Sequence, residues 1–292
     1  MQVTFRLAGL ALTLMILSLA ARAETTQCTA ITSMPAVIST PGVYCLKRSF
    51  SADNGINIRA DDVTIDFNGF GLNLGITGKG VVASDRSNVI VRNGTIRGGT
   101  HGIDLSVSGF GNSSGNVVER MHVVSSSAAG IAVQGDAAVV RHNVVIGVAE
   151  NNTPGVKYGI SVSVGTGILV SDNQVLDTGI GAPGDVNGII QSQVDGIHVV
   201  DAPRAVIENN VVSNHTLSSG SQFYPVGIHI YTTGSFTDTM KSKVLGNRVA
   251  NMVRGIFNAG GLSISVFQDN VVINAITPYF GGIMVGTSNS SF

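Results

Sequence analysis

The chain has no tryptophan, five tyrosines and two cysteines in 292 residues, and only 12% of it is Asp, Glu, Lys or Arg. Each shortage excludes something. Neutral glycans are commonly gripped by stacking on broad aromatic platforms, and a chain without Trp is poorly supplied for that. Seventeen Lys and Arg against 18 Asp and Glu leave a formal charge of −1, with no basic stripe or arginine-rich run. Nucleic acid is therefore not an expected partner.

Long apolar runs are missing as well, except at the start, where Leu7 to Ala20 follows Arg6 and precedes Ala21-Arg22-Ala23. This pattern reads as a secretory signal over residues 1–23, leaving Glu24 as the mature start. The run falls short of the roughly 20 residues a span requires, so no membrane span is expected after its removal. Loss of Arg6 and Arg22 leaves 17 − 2 = 15 basic residues against 18 acidic ones, a mature charge of −3. The expected location is secreted or periplasmic. In that setting the cysteines, Cys28 and Cys45, are expected to pair. Residues 24–50 are then read as an N-terminal cap stapled over the end of a core, and 51–292 as one domain. Insertions are expected near Asn151-Asn152-Thr153, Gly181 to Gly184 and His215 to Pro225, as turns rather than linkers.

What the chain does have is a unit repeated about eight times. Asn68, Asn93, Asn143, Asn173, Asn210, Asn247 and Asn270 recur, with Arg120 standing in once. Three residues earlier lie Ile65, Ile90, Val117, Val140, Val170, Ile207, Val244 and Phe267, and two residues after the later Asn lie Val145, Val175, Val212, Val249 and Val272. Glycines open each unit: Gly55, Gly80, Gly102, Gly130, Gly159, Gly196, Gly227, Gly255 and Gly282, each followed by Ile or Val. Units this short cannot bury an apolar face alone, and stacking gives them one continuous core. Short β-branched, period-2 segments between Gly, Asn, Asp and Ser make the stacked elements strands. The chain is therefore expected to be all-β, a parallel β-helix solenoid of about nine coils with an N-terminal disulfide cap. The Asn column is expected to bend the chain and to form an amide ladder.

The stretches Gly196-Ile-His-Val-Val with Val206-Ile-Glu-Asn-Asn210-Val-Val, and Gly159-Ile-Ser-Val with Leu169-Val-Ser-Asp-Asn173-Gln-Val, resemble the right-handed parallel β-helix proteins of the pectate-lyase-like superfamily. The resemblance covers roughly residues 50 to 286 and is specific for fold. It implies a polysaccharide lyase, glycosidase, uronan epimerase or non-catalytic surface protein, without choosing among them. The Asp-Pro-His-Asp element of mannuronan epimerases is absent, as are the Gly-His-Gly and Arg-Ile-Lys elements of polygalacturonases. The calcium-aspartate pattern of pectate lyases is also missing. No cofactor is therefore expected, and calcium has no support in the residues.

In a solenoid, equivalent positions of adjacent coils lie about 4.8 Å apart. His198 and His229 share the outward position after the glycine-led Ile, and Tyr158, Asp195 and Arg254 share the position before the glycine. Lys157, Ser161, Asp201 and Tyr231 fall close by in the same register. The chemistry these residues suit is proton abstraction next to the carboxylate of an acidic sugar. Arg254 or Lys157 would neutralise the carboxylate, His198 or His229 would take the proton, and Tyr158 or Tyr231 would return it. Ser161 and Asp195 would help to hold substrate. A glycosidase would need two facing carboxylates, for which Asp195 and Asp201 are the candidates. No metal site is assigned: His198, His229 and Asp195 could approach an ion, but stacking supplies proximity without ligand angles. The expected function is a carbohydrate-active surface on an acidic polysaccharide, as a uronan lyase or C5-epimerase. The alternative is a structural or adhesive cell-surface solenoid. The oligomeric state is not legible.

Overall fold

The structure is a computed structural model, and it describes residues 27–107, 113–148, 156–178, 194–214, 225–233, 241–259, 265–286 and 288–292. The signal segment lies outside the described residues, as do Asn151 to Thr153, Gly181 to Gly184 and residues 215–224. Within them every strand pair is parallel, and each strand bonds to its equivalents one coil before and one coil after. This is a right-handed parallel β-helix.

Three columns of apolar side chains fill its core. Ile56, Val81, Ile103, Ile131, Ile160, Ile197, Ile228 and Ile256 pair in register along the first face and are buried. The second column runs Ile65, Val91, Val118, Val140, Val170, Ile207, Val244 and Phe267. The third runs Leu72, Ile96, Val123, Val145, Val175, Val212, Val249 and Val272. Each such Val or Ile contributes about 1.5–3 kcal/mol on burial, which no single coil could secure without its neighbours. The glycines matter because the first and third faces meet closely at that corner. A Cβ on Gly159 would strike Val175 Cγ1 and lie 2.6 Å from the Gly196 carbonyl oxygen.

The Asn column is a ladder over half its expected length. Asn143 donates from its backbone N–H and from Nδ2 to Asn173 Oδ1, each at 3.0 Å. Asn173, Asn210 and Asn247 repeat the pattern onto the next Asn, and Asn270 passes it to Asn289. Each Nδ2 also donates to the preceding coil, as Asn173 does to the Val140 carbonyl at 2.9 Å. Asn68, Asn93 and Arg120 do not belong to it. They sit one residue earlier in the repeat, at φ of 52°, 61° and 52°, in the left-handed turn that His142, Asp172, Asn209 and Asp269 occupy in later coils. The shift corrects the flanking column too, since Val91 and Val118 point inward rather than Ile90 and Val117. The ladder position in those coils holds Gly94 and Met121.

At the far end, Gly282 does not open a coil. Ile283 pairs with Val266 on the second face, and Tyr279 follows Ile256 on the first. At the near end, Cys28 and Cys45 form a disulfide. A closed loop of this size stabilises by about 3 kcal/mol in the chain-entropy account. The strands Ala36–Ile38, Gly42–Leu46 and Phe50–Ala52 already pair in parallel with the coil below. The stacking therefore begins within the stretch 24–50, and the first-face column counts ten strands from Ala36 to Tyr279.

Candidate functional site

On the first face, outward side chains alternate with the buried Ile column. One outward row runs Val37, Asn57, Val82, Asp104, Ala132, Ser161, His198, His229, Phe257 and Phe280. The other runs Lys79, His101, Ala129, Tyr158, Asp195, Val226 and Arg254. Strict alternation would put Asp195 on the side of Ile197, two residues on; the corner at Gly196 instead brings it beside His198 and His229, although His229 is 34 residues away in sequence.

Asp195 is the hub. Its Oδ2 lies 2.6 Å from His198 Nδ1 and 3.0 Å from His229 Nδ1, and its side chain is fully buried. Burial works against its charged form, but the hydrogen bonds from both imidazoles and their charge outweigh it. The carboxyl is held below the ordinary value. An ionised Asp195 accepts from both rings, so Nδ1 is the protonated nitrogen of each.

The rings around it are packed. Tyr158 stacks on His198 with centroids 4.2 Å apart, and Tyr231 lies 5.3 Å from His198 and 5.2 Å from His229. Phe257 meets His229 edge-on at 5.5 Å and stacks on Phe280 at 4.6 Å. Of the two imidazoles His229 is the more open, with 13% of its side chain exposed against 3% for His198. The Tyr158 phenol is pushed well above its usual value by burial and by the charge of Asp195, with Tyr231 adding to it. Tyr231 is raised by burial and by Asp195 and Asp201. Both stay protonated at neutral pH, as proton donors must.

The remaining candidates fall into place around this centre or outside it. The Arg254 guanidinium sits 4.5 Å from the Phe257 ring centroid. Ser161 pairs with His198 one coil earlier on the same row. Lys157 is buried, its Nζ donates to the Ser127 carbonyl at 2.5 Å, and burial lowers its pKa. The structure does not bring it to the imidazoles. Asp201 accepts from Thr232 Oγ1, Thr233 N and Thr233 Oγ1 at 2.9, 2.9 and 2.6 Å. Phe257 and Phe280 border the site and are not legible as site residues in the sequence. The signal that could have found Phe257 was its place in the histidine row, beside an Arg in the neighbouring one.

Asp195, His198 and His229 offer ligand atoms within 4.8 Å of one another. Both Nδ1 atoms lie at hydrogen-bond distance from the same carboxylate oxygen. Two imidazoles in the set suit calcium poorly, since it takes oxygen ligands.

No protein-family model matches the chain, and no curated protein matches it. Among solved structures it is similar to an alginate lyase from Paenibacillus sp. str. FPU-7, at 11% identity and a TM-score of 0.44 over 86% of this chain and 94% of that one. It is also similar to the catalytic domain of a GH87 alpha-1,3-glucanase in complex with tetrasaccharides, at 12% identity and a TM-score of 0.45. That overlap covers 90% of this chain but only 61% of the glucanase domain. The A-module of a mannuronan C-5 epimerase from Azotobacter vinelandii aligns at 14% identity and a TM-score of 0.36, over 86% of this chain and 91% of that one. Overlaps of this kind assign no role to any residue here, and the fold stands on the strand register itself.

Proposed function

We propose that this protein is an exported, polysaccharide-active β-helix whose Asp195 centre removes the proton next to the carboxylate of a uronate residue, as a uronan lyase or C5-epimerase. One observation carries the reading: two imidazoles are bonded through Nδ1 to one buried, ionised carboxylate, between two tyrosines that stay protonated. The disulfide supports export, and among the described residues no helix is long and apolar enough to cross a membrane.

The chemistry follows from the placement. His229, the more open ring, takes the C5 proton on Nε2, and Asp195 stabilises the imidazolium through Nδ1–H. The electron pair moves onto the substrate carboxylate, whose charge Arg254 offsets. In a lyase that pair then forms the C4–C5 double bond as the C4–O bond breaks, and Tyr158 protonates the departing oxygen. In an epimerase Tyr158 returns a proton to the opposite face of C5. Tyr231 and Ser161 hold the sugar. A glycosidase fits less well. Its acid would need a raised pKa, whereas Asp195 is lowered and Asp201 is tied up by Thr232 and Thr233.

The test is turnover of alginate, pectate and hyaluronan, followed by the ultraviolet absorbance of unsaturated uronate and, for epimerisation, by NMR. Tyr158→Phe should lower kcat by about a hundredfold or more, the scale of a lost general acid. Tyr231→Phe should act mainly on KM. Equal effects of the two would remove Tyr158 as the proton donor.

A further inference from the structure

The two outward rows that meet at Asp195 continue toward the N-terminal end and converge on a second polar cluster. Lys79 Nζ donates to Asp104 Oδ2 at 2.6 Å; the Lys79 side chain is 42% exposed, and that of Asp104 only 8%. His101 stands beside them in the Lys79 row. Lys79, Asn57 and Val82 also line a cavity of about 340 Å³ together with Pro35 and Val37. Between this cluster and the imidazoles the floor is made of small side chains, Ala129, Ala132 and Ser161. The same face thus carries a second polar cluster toward its N-terminal end.

We propose that the Lys79–Asp104 pair and its cavity form a distal subsite for a uronate residue of the same polysaccharide chain that the Asp195 centre works on. The inference rests on the uronan reading above. Register sets the distance: Lys79, His101, Ala129, Tyr158 and Asp195 are successive members of one row. Four coil spacings of about 4.8 Å put the subsite about 19 Å from the centre. An extended pyranose chain advances by roughly one coil per sugar, so only an oligomer that spans those five coils reaches both places.

The local charge suits an anion. An ammonium has three donors, and Asp104, nearly buried, holds one of them while the Lys79 side chain stays 42% exposed. Burial lowers the pKa of His101 first; the charges of Lys79 and Lys157 add to this against the opposing Asp104. His101 is then uncharged at neutral pH. Asp104 itself stays ionised: burial opposes its charge, but the hydrogen bonds from Lys79 and Ser106 and the nearby charge of Lys79 together outweigh it. Asn57, exposed on the cavity wall, supplies donor and acceptor atoms for hydroxyls.

Calorimetric titration with oligomannuronates and oligogalacturonates of graded length tests this. Lys79→Gln and Asn57→Ala should each weaken oligomers long enough to span five coils, Lys79→Gln by about tenfold, the scale of one hydrogen bond to a charged group. Affinity for di- and trisaccharides should stay at the wild-type value. A loss equal at every length, or no loss at any, overturns the subsite. If long oligomers bind in a Lys79-dependent way while no uronan is turned over, the subsite stands and the acid–base reading of Asp195 fails. If uronans are turned over and Lys79→Gln is silent at all lengths, the subsite alone fails.

Discussion

Replacing Asp195 by Asn should lower turnover of a uronan by about 10²–10⁴-fold, the range spanned by general acid–base catalysis. The carboxylate accepts a hydrogen bond from Nδ1 of both imidazoles through one oxygen. An amide of the same shape can accept through its oxygen but must donate through its nitrogen. One amide oxygen can still take both N–H bonds, but it carries no charge to stabilise the imidazolium that forms when a ring takes a proton. The same substitution has a pH signature. The carboxyl of Asp195 is held below its ordinary value of 3.8. A group whose folded pKa is depressed contributes stability that is present above the unfolded value and lost as pH falls through the folded one. Urea denaturation of the wild type should therefore show a fall in stability on acidification below about 4, and Asp195→Asn should flatten that limb. An Asp195→Asn protein with full turnover would mean that the imidazoles need no orienting carboxylate.

Asn173→Leu should destabilise the fold by about 4 kcal/mol, because several buried partners lose their bonds at once. Asn173 Oδ1 accepts from the N–H and the Nδ2 of Asn143, while its own Nδ2 donates to the Val140 carbonyl and to Asn210 Oδ1. Asn68→Gly is the control. Asn68 is exposed and its φ of 52° is one that glycine adopts freely, so its denaturation midpoint should stay within about 0.5 kcal/mol of the wild type. The contrast separates ladder from turn. An unchanged midpoint for Asn173→Leu would mean that the amide column is held by water rather than by its neighbours.

That contrast also marks what the sequence could convey. The Gly-Ile signal was legible because one local pair repeats with the same meaning from Gly55 to Gly255, and the outward row through His198 and His229 follows from it by strand alternation alone. The Asn signal was read one residue out of step in the early coils. Each unit has two places where Asn is favoured, the left-handed turn and the ladder, and Asn68 and Asn93 fill only the turn. Asn289 was missed because the residue three before it is Gly286, not a large apolar one. Gly282-Ile283 imitates a coil start, yet the final first-face strand is already supplied by Tyr279. At the site, register predicted which residues stand side by side. It could not foresee that both imidazoles would share one carboxylate oxygen, or that Lys157, next to Tyr158, would turn into the wall. Such outcomes depend on side-chain direction at a corner, where strict alternation ends.

The central claim is that the Asp195 centre moves a proton at C5 of a uronate residue. The most direct measurement is a proton NMR spectrum of alginate and of pectate after incubation with the protein in D2O. The account predicts either an olefinic signal from elimination or inversion at C5 with uptake of solvent deuterium, and it predicts that both vanish for His229→Ala. Polymers that keep every C5 proton and every linkage, at protein concentrations where binding is saturated, would contradict it and leave a structural or adhesive solenoid as the better description.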